Sequence, residues 1–524
     1  MNLLRSRLRS LFAHVTFTAS VLILAVTANA SNDGSSTDPA IRMPEYVVKG
    51  DLYLRWRYAR VFEFEVISTF SDEATEEYVA EIAREVAMIR ALFPDGFLPR
   101  PTSPSLLVLG MGGLPDRSEA ALDGWVGATL SDGSDYDTSV YLLNASWFES
   151  NRFERGRDRK TLAAIKHACW LLDCRTPRLP DWFIHGTRAF LYWTRFRDRS
   201  IQLPGDLSVQ APPDLKSLIE REQPGLARPA ATGVRRAQDA AVFVLWGLLD
   251  REYTEKFWTF VQRASSENVT EEAFKECFGF GYAEGARKVA GSFPRLSENS
   301  DISLPRSATT LPKVELRAAR FSEAGRLVGE WHRQLASIQT DKRKRDAELA
   351  NARECFVKAL PKTEDPELLA ALGICEKDAG LTASAIAHLE VAIRAKVSRP
   401  RAYLDYARLL YASAASGTLS ETDTRAILAP LHTARAKSPA LPGIYALMTE
   451  VWERSSVQPT PMDLEALEEG TRLFPRDVRL ASRAFQIHSE HGRKAKAAEM
   501  ANRLLKAVNP STRETLRDEA SAHP

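Results

Sequence analysis

Cysteine is scarce in this sequence. The five cysteines among 524 residues are Cys169, Cys174, Cys277, Cys355 and Cys375. That is too few for a fold held together by disulfide bonds, and because the number is odd, at least one thiol must stay unpaired. Export from the cytoplasm would permit a disulfide bond without requiring one.

Other signals are missing as well. Lys and Arg total 70 against 68 Asp and Glu, and the two signs are interspersed, which gives no indication of nucleic-acid binding. Beyond the N-terminal region no stretch approaches the roughly 20 apolar residues of a membrane-spanning helix. The sequence has no G-x-S-x-G motif and no P-loop, and Gly110-Met111-Gly112-Gly113 is a weak glycine-rich loop.

The N-terminus has the pattern of an export signal. Arg5, Arg7 and Arg9 precede a mostly apolar stretch from Phe12 to Val26, and Ala28-Asn29-Ala30 forms a small-residue cleavage site. We therefore expect a cleaved signal peptide over residues 1–30 rather than an uncleaved anchor, then a flexible leader over 31–50. The mature protein should be periplasmic or extracellular, with no stable membrane span.

The next region predicts a mixed α+β fold. Residues 60–68 alternate polar and apolar side chains, as in a strand buried on one face, and residues 71–93 have the spacing of an amphipathic helix. Residues 105–109 and 140–143 are typical of short strands. We expect a helix on a small sheet over 51–150, then a helical part over 151–293 that includes a buried helix at Gln238–Leu249.

The segment 161–193 predicts a helix, a Pro-bounded connection and a second helix. This layout resembles the gluzincin metallopeptidases, in which one helix carries H-E-x-x-H and the next carries W-x-x-E-G. The aligned residues are Ile165-Lys166-His167-Ala168-Cys169 and Trp182-Phe183-Ile184-His185-Gly186. Order, spacing and apolar pattern extend the resemblance over about residues 55–293, although no signature is intact.

The chemistry of the family is not retained at these positions. Ile165 and Cys169 stand where the two metal-binding histidines belong, and Ile cannot ligate a metal. Lys166 stands at the position of the general base, and His185 replaces the third ligand. The expectation is a degenerate peptidase domain without catalytic residues or a cofactor.

A rebuilt metal site is the alternative, because His167, Cys169, Cys174 and His185 are suitable ligands close together in sequence. Helix geometry opposes it: positions i and i+2 point about 200° apart, and i and i+7 are about 10 Å apart along the axis. A buried, hydrogen-bonded histidine is the simpler interpretation. Five neighbouring aromatics should likewise pack in the core rather than form a ligand cage: Trp182, Phe183, Phe190, Tyr192 and Trp193.

Residues 294–312 are rich in Ser and Pro and predict a linker. The following domain, 313–524, is helical with an internal period that resembles tetratricopeptide repeats. Four repeats are expected to begin at Pro366, Pro400, Pro442 and Val478, with Gly373 as the small residue of a first helix. In this frame Cys355 and Cys375 lie on adjacent helices, which suggests that they are close in space, and export would allow a bond between them.

These patterns together predict an α+β, gluzincin-like N-terminal half followed by an all-α repeat array. The expected function is that of an exported pseudopeptidase or scaffold. It would bind protein or peptide partners through its repeats and through a metal-free cleft. The alternative is a cell-envelope hydrolase that uses the rebuilt His/Cys metal site.

Overall fold

The computed structural model describes residues 56–110, 137–144, 159–203, 211–220, 231–298, 301–360, 365–414 and 417–508. The predicted signal peptide and leader lie outside these residues. None of the helices described is long and apolar enough to cross a membrane.

The N-terminal half is built on a sheet that is covered on both faces. The five strands of this sheet are β1 Arg57–Val61, β2 Phe64–Ser68, β3 Ser105–Gly110, β4 Val140–Asn144 and β8 Arg317–Ala318. Their order is β4-β3-β2-β1-β8, with β2, β3 and β4 parallel to one another and β1 antiparallel to both of its neighbours. A second sheet joins β5 Arg195–Phe196, β6 Ser200–Gln202 and β7 Asp301–Ser303.

The prediction of one half-buried strand over residues 60–68 was wrong. The chain turns at Phe62 and Glu63, so the segment belongs to two antiparallel strands, and all five residues of β2 are buried. The reason is that helix α10, Phe321–Ile338, covers the second face. Its Leu327, Trp331 and Leu335 pack against side chains of β1, β2, β3 and β4.

Helices share one core on the other side of the sheet; the first lies against the strands, and the later ones pack mainly on one another. They are α1 Asp72–Arg90, α2 Arg159–Asp173, α3 Asp181–Trp193, α4 Leu215–Glu220, α5 Ala231–Leu249, α6 Thr254–Ser266, α7 Glu271–Phe278, α8 Tyr282–Glu298 and α9 Arg306–Thr309. Helix α5 runs through the core with residues 240–246 all buried, which confirms the predicted buried helix. Gly186 of α3 permits close packing on α5, because a Cβ there would lie 2.5 Å from the Ala240 carbonyl oxygen.

Residues 294–312, predicted to be a linker, contain short elements of secondary structure. They include the end of α8, then β7, which pairs with β6, and then α9. Strand β8 follows directly and pairs with β1. These short elements are part of the N-terminal half. Helix α10 follows them and belongs both to the sheet, on which it packs, and to the array, which it begins by packing against the helix that follows it.

The remaining helices form tandem hairpins. Beyond α10 they are α11 Lys342–Ala359, α12 Pro366–Asp378, α13 Thr382–Arg394, α14 Pro400–Ser413, α15 Glu421–Arg435, α16 Pro442–Arg454, α17 Pro461–Leu473, α18 Val478–Glu490 and α19 Lys494–Ala507. Each of the four predicted repeat starts is the first residue of a helix, at α12, α14, α16 and α18. Gly373 has its predicted packing role, since a Cβ there would lie 2.6 Å from Leu389 Cγ.

The five cysteines are all free thiols, so the proposed bond between Cys355 and Cys375 is absent. Cys375 lies in the core between α11 and α12, where its thiol donates to the Leu349 carbonyl at 3.5 Å. Burial raises the pKa of Cys375 to about 12, which leaves the thiol protonated and unreactive.

Candidate functional site

The structure confirms the predicted helix, connection and helix over residues 161–193, which we call the peptidase-like segment after the resemblance noted in the sequence. Helix α2 ends at Asp173, and α3 begins after Pro180 at Asp181. Trp182, Phe183 and Phe190 are buried as predicted, while Tyr192 and Trp193 pack at the edge of the same core. The aromatic residues therefore hold the two helices in place rather than line a ligand cage.

The two aligned positions before His167 have no metal-binding chemistry. Ile165 is buried in the core, with 3 % of its surface exposed. Lys166 is half-buried, and burial lowers the pKa of its ammonium group, with Cys169 opposing that shift. A hydrocarbon side chain and a cation thus occupy the positions of a ligand and of the base.

His167 is buried and belongs to a row of hydrogen-bonded polar side chains that faces the sheet. Its Nε2 lies 2.9 Å from Glu63 Oε2, and its Nδ1 lies 3.4 Å from the Tyr141 hydroxyl, which accepts a hydrogen bond from Ser139 at 2.7 Å. Glu63 is also paired with Arg90. Burial lowers the pKa of His167, and Glu63 opposes that shift. Both ring nitrogens are therefore engaged, as expected for a buried histidine with satisfied hydrogen bonds.

Cys169 points instead towards α3, as the i, i+2 spacing from His167 predicts. It is hydrogen-bonded to Arg188, which also forms an ion pair with Asp173. Burial raises the pKa of Cys169 to about 11, although Arg188 opposes the shift. The thiol is consequently protonated at neutral pH and is not an activated nucleophile.

Cys174 and His185 complete the set of candidate ligands. Cys174 is buried just after α2, and burial raises its pKa well above the ordinary thiol value. His185 is half-buried, and burial followed by Arg188 lowers its pKa. Asp181 opposes this shift, while Arg236 and Arg178 act in the same direction as Arg188.

The four candidates have these surroundings: His167 contacts Glu63 and Tyr141, Cys169 and His185 both lie near Arg188, and Cys174 is buried just after α2. In the part of the chain that the structure describes, no group of three or more His, Cys, Asp and Glu side chains is arranged to hold a metal ion.

A larger polar constellation, which the sequence did not indicate, lies where the sheet meets the array. Arg399 donates from Nη2 to Asp137 Oδ1 at 3.0 Å and pairs through Nη1 with Glu330. The backbone N–H of Arg401 also donates to Asp137, at 3.1 Å. Asp137 and Glu330 are each about 1 % exposed. A buried carboxylate before β4 is thus held by the beginning of α14.

The same network continues into two further hairpins. Glu330 accepts from Arg333 Nε at 2.9 Å, and Arg333 lies 3.5 Å from Asp378. Arg401 forms ion pairs with both Asp378, at 2.7 Å, and Asp405, at 3.0 Å. Alternating charges therefore connect the sheet with α10, α12 and α14. Arg399 and Arg401 flank Pro400, which begins a repeat, but that position alone does not indicate burial or partners.

The middle and the far end of the array also contact the N-terminal half. Thr102 donates from its backbone N–H to the Ser438 carbonyl at 2.8 Å, between α15 and α16. Arg476 Nη2 donates to the Ala264 carbonyl at 2.6 Å, and Asn268 N–H donates to the Lys506 carbonyl at 2.7 Å. The array is consequently held at its first helix, in its middle and at its last helix.

Comparisons with known proteins give a limited picture. No protein-family model matches the chain, and no curated protein matches it. Among solved structures, the crystal structure of MamA is 18 % identical, with a TM-score of 0.26, over 35 % of this chain and 99 % of that one. TTC0263, a thermophilic TPR protein in Thermus thermophilus, is 15 % identical, with a TM-score of 0.24, over 37 % and 97 %. TM-scores this low do not establish a common fold.

Proposed function

We propose that this protein is a non-catalytic scaffold that binds protein or peptide partners through its helical array. The observation that carries the proposal is the anchoring of consecutive hairpins at both ends of the array. A surface fixed in this way is preorganised, so little conformational entropy is lost when a partner binds. Stacked hairpins of this kind present extended surfaces suited to polypeptides.

The state of the peptidase-like segment supports a binding role for the N-terminal half as well. His167, Cys169 and Ile165 are engaged in hydrogen bonds or core packing that stabilises the fold. We propose that this half is a degenerate gluzincin-like domain that keeps the helix pair and has lost the chemistry. A cleft can hold an extended chain without the residues that cut it.

Export is part of the proposal and depends on the N-terminal sequence alone. The basic residues, apolar stretch and small-residue site at residues 28–30 favour a mature chain beginning at Ser31. The N-terminal sequence of protein recovered from the periplasm or medium tests this. An intact Met1 on membrane-associated protein would contradict it.

The binding function is tested with the whole mature chain, because the sheet and the array share α10. Photo-crosslinking groups are placed on α16 and α18 in one set of variants and on exposed positions of α1 in a second set. We expect the set on the array to capture envelope proteins. Equal capture from both sets would contradict a role specific to the array.

The alternative, a hydrolase with a rebuilt metal site, is tested in parallel. Zinc bound stoichiometrically by the purified protein and lost in His185→Ala, together with hydrolysis of casein or peptidoglycan, would establish the enzyme and refute the scaffold.

A further inference from the structure

A polar cleft lies between the end of α6 and the last two hairpins of the array. Its volume is about 480 Å³, within the range of sites that bind small ligands or short peptide segments. The charged and amide side chains that line it are Glu267, Arg472, Glu499, Asn502, Arg503 and Lys506.

The walls of the cleft are held together by hydrogen bonds across the two halves of the molecule. The Lys506 carbonyl accepts from Asn268, and the Ala264 carbonyl accepts from Arg476. The cleft therefore exists because the array docks on α6, and its shape is fixed before any ligand arrives.

Basic side chains outnumber carboxylates in the lining of this cleft. Three basic side chains face two carboxylates, and both carboxylates are already paired. Glu499 accepts from Arg503 at 2.8 Å and lies 3.1 Å from Lys496, while Glu267 lies 3.5 Å from Arg263. Lys496 and Arg263 both come from outside the lining.

Arg472 and Lys506 are the cations left over. Both are exposed, and neither forms an ion pair with any residue of the described ranges. Arg472 nevertheless faces the cleft, since it helps Lys496 and Arg503 to lower the pKa of Glu499.

A simpler reason for these cations exists, because the last turn of a helix favours basic residues, and Arg472 and Lys506 occupy the last turns of α17 and α19. However, three carbonyls in these last turns already have backbone donors. The Gly470 and Leu504 carbonyls accept from backbone N–H groups, as does that of Lys506. Two helix ends converging on one cleft leave its positive charge without a structural partner.

We infer that this cleft binds a carboxylate-bearing segment of a polypeptide, with Arg472 and Lys506 as the recognising groups. Guanidinium and ammonium groups form charge-assisted hydrogen bonds with carboxylates, and the planar fork of Arg472 can engage both oxygens at once. The inference rests on the proposed scaffold function and names one chemical class of partner for it.

The test measures fluorescence anisotropy of a labelled peptide of alternating Glu and Gly against the whole mature protein. Arg472→Ser should weaken binding about tenfold, the loss of one charged hydrogen bond. Lys506→Ser should weaken it as well. Glu499→Gln should strengthen it, because a competing carboxylate is neutralised, and a variant that merely unfolds cannot produce that gain.

Matched controls lie on the same hairpins. Arg479→Ser on α18 and Lys494→Ser on α19 remove exposed cations outside the cleft and should leave the affinity unchanged. A Gln/Gly peptide should not bind. Equal losses in Arg472→Ser and Arg479→Ser, or equal affinity for the Gln peptide, would overturn the assignment.

Two further results would reassign the site. Inorganic phosphate that displaces the peptide at an equal concentration of anionic groups would show a general oxyanion site rather than a polypeptide site. A large gain in affinity after deletion of 509–524 would identify the occupant as the chain's own C-terminal segment. If the array positions capture partners while the acidic peptide does not bind the unsubstituted mature protein, the cleft assignment fails and the scaffold proposal stands.

Discussion

Asp137 is the residue whose removal tests the junction between the sheet and the array most directly. It is 1 % exposed and holds Arg399 through Nη2 and Nε, at 3.0 and 3.4 Å, and the Arg401 backbone N–H at 3.1 Å. In Asp137→Ala these donors lose their acceptor, and Arg399 keeps only Glu330 as a partner for its buried charge.

Removing one partner of a buried ion pair costs about 3–5 kcal/mol when the remaining charge is left without compensation, and the pair with Glu330 that Arg399 keeps places Asp137→Ala near the lower end of that range. We expect Asp137→Ala to lose this amount of unfolding free energy. The control is Asp346→Ala on α11, which breaks an exposed pair with Lys342 and should cost about 0.5 kcal/mol.

Urea denaturation followed by tryptophan fluorescence measures the difference, and hydrogen exchange locates it. Amides of α12 and α14 should exchange faster in Asp137→Ala, as should those of β4. The double variant with Arg399→Met should be less destabilised than the sum of the single variants, because the two residues are directly coupled. Equal midpoints for Asp137→Ala and Asp346→Ala would refute the reasoning.

Three further predictions follow from packing, charge and burial. Gly186→Val should lose about 1–3 kcal/mol by clashing with α5, whereas Gly291→Ala, whose Cβ would have no neighbour within 4 Å, should be neutral or stabilising; thermal unfolding distinguishes the two. Burial opposes ionisation of Glu330, but Arg333 and Arg399 outweigh it and lower its pKa to about 2. Ionised Glu330 therefore contributes its stabilisation at pH values above the ordinary Glu pKa of about 4.3, and this stabilisation is lost as the pH falls towards 2. Urea titrations at several pH values should show this loss in the unsubstituted protein and not in Glu330→Gln. In the folded protein iodoacetamide should label the half-buried Cys277 and Cys355 before the buried thiols, and mass spectrometry should find five labelled cysteines after denaturation; a persistent disulfide would contradict this.

The predicted linker over residues 294–312 is a candidate site for limited proteolysis. A protease that cuts there should yield two fragments that stay together, since α10 packs on the sheet and Asp137 is held by Arg399. Native gel filtration after digestion measures this, and separation of the fragments would show that the two halves are independent domains.

Much of the local structure could be read from the sequence, because short-range patterns determine it. The prolines at 366, 400 and 442 fix the starts of three helices, since proline is favoured in the first turn. The helix pair over residues 161–193 followed from two helical stretches separated by a Pro-bounded connection. The substitutions at Ile165 and Lys166 were equally visible, because they depend only on residue type.

Long-range pairing could not be read in the same way. Nothing near residues 60–68 indicates that a helix more than 250 positions later covers their second face, so β2 was expected to be half-exposed. Arg399, Arg401 and Asp405 have the composition of a solvated surface, and only the approach of Asp137 and Glu330 makes them a buried network. The sequence by itself determined where helices begin, which small residues pack, and which ligands are missing. The tertiary structure decided which charges are buried and which cleft is left positive, because both depend on groups brought together from distant parts of the chain.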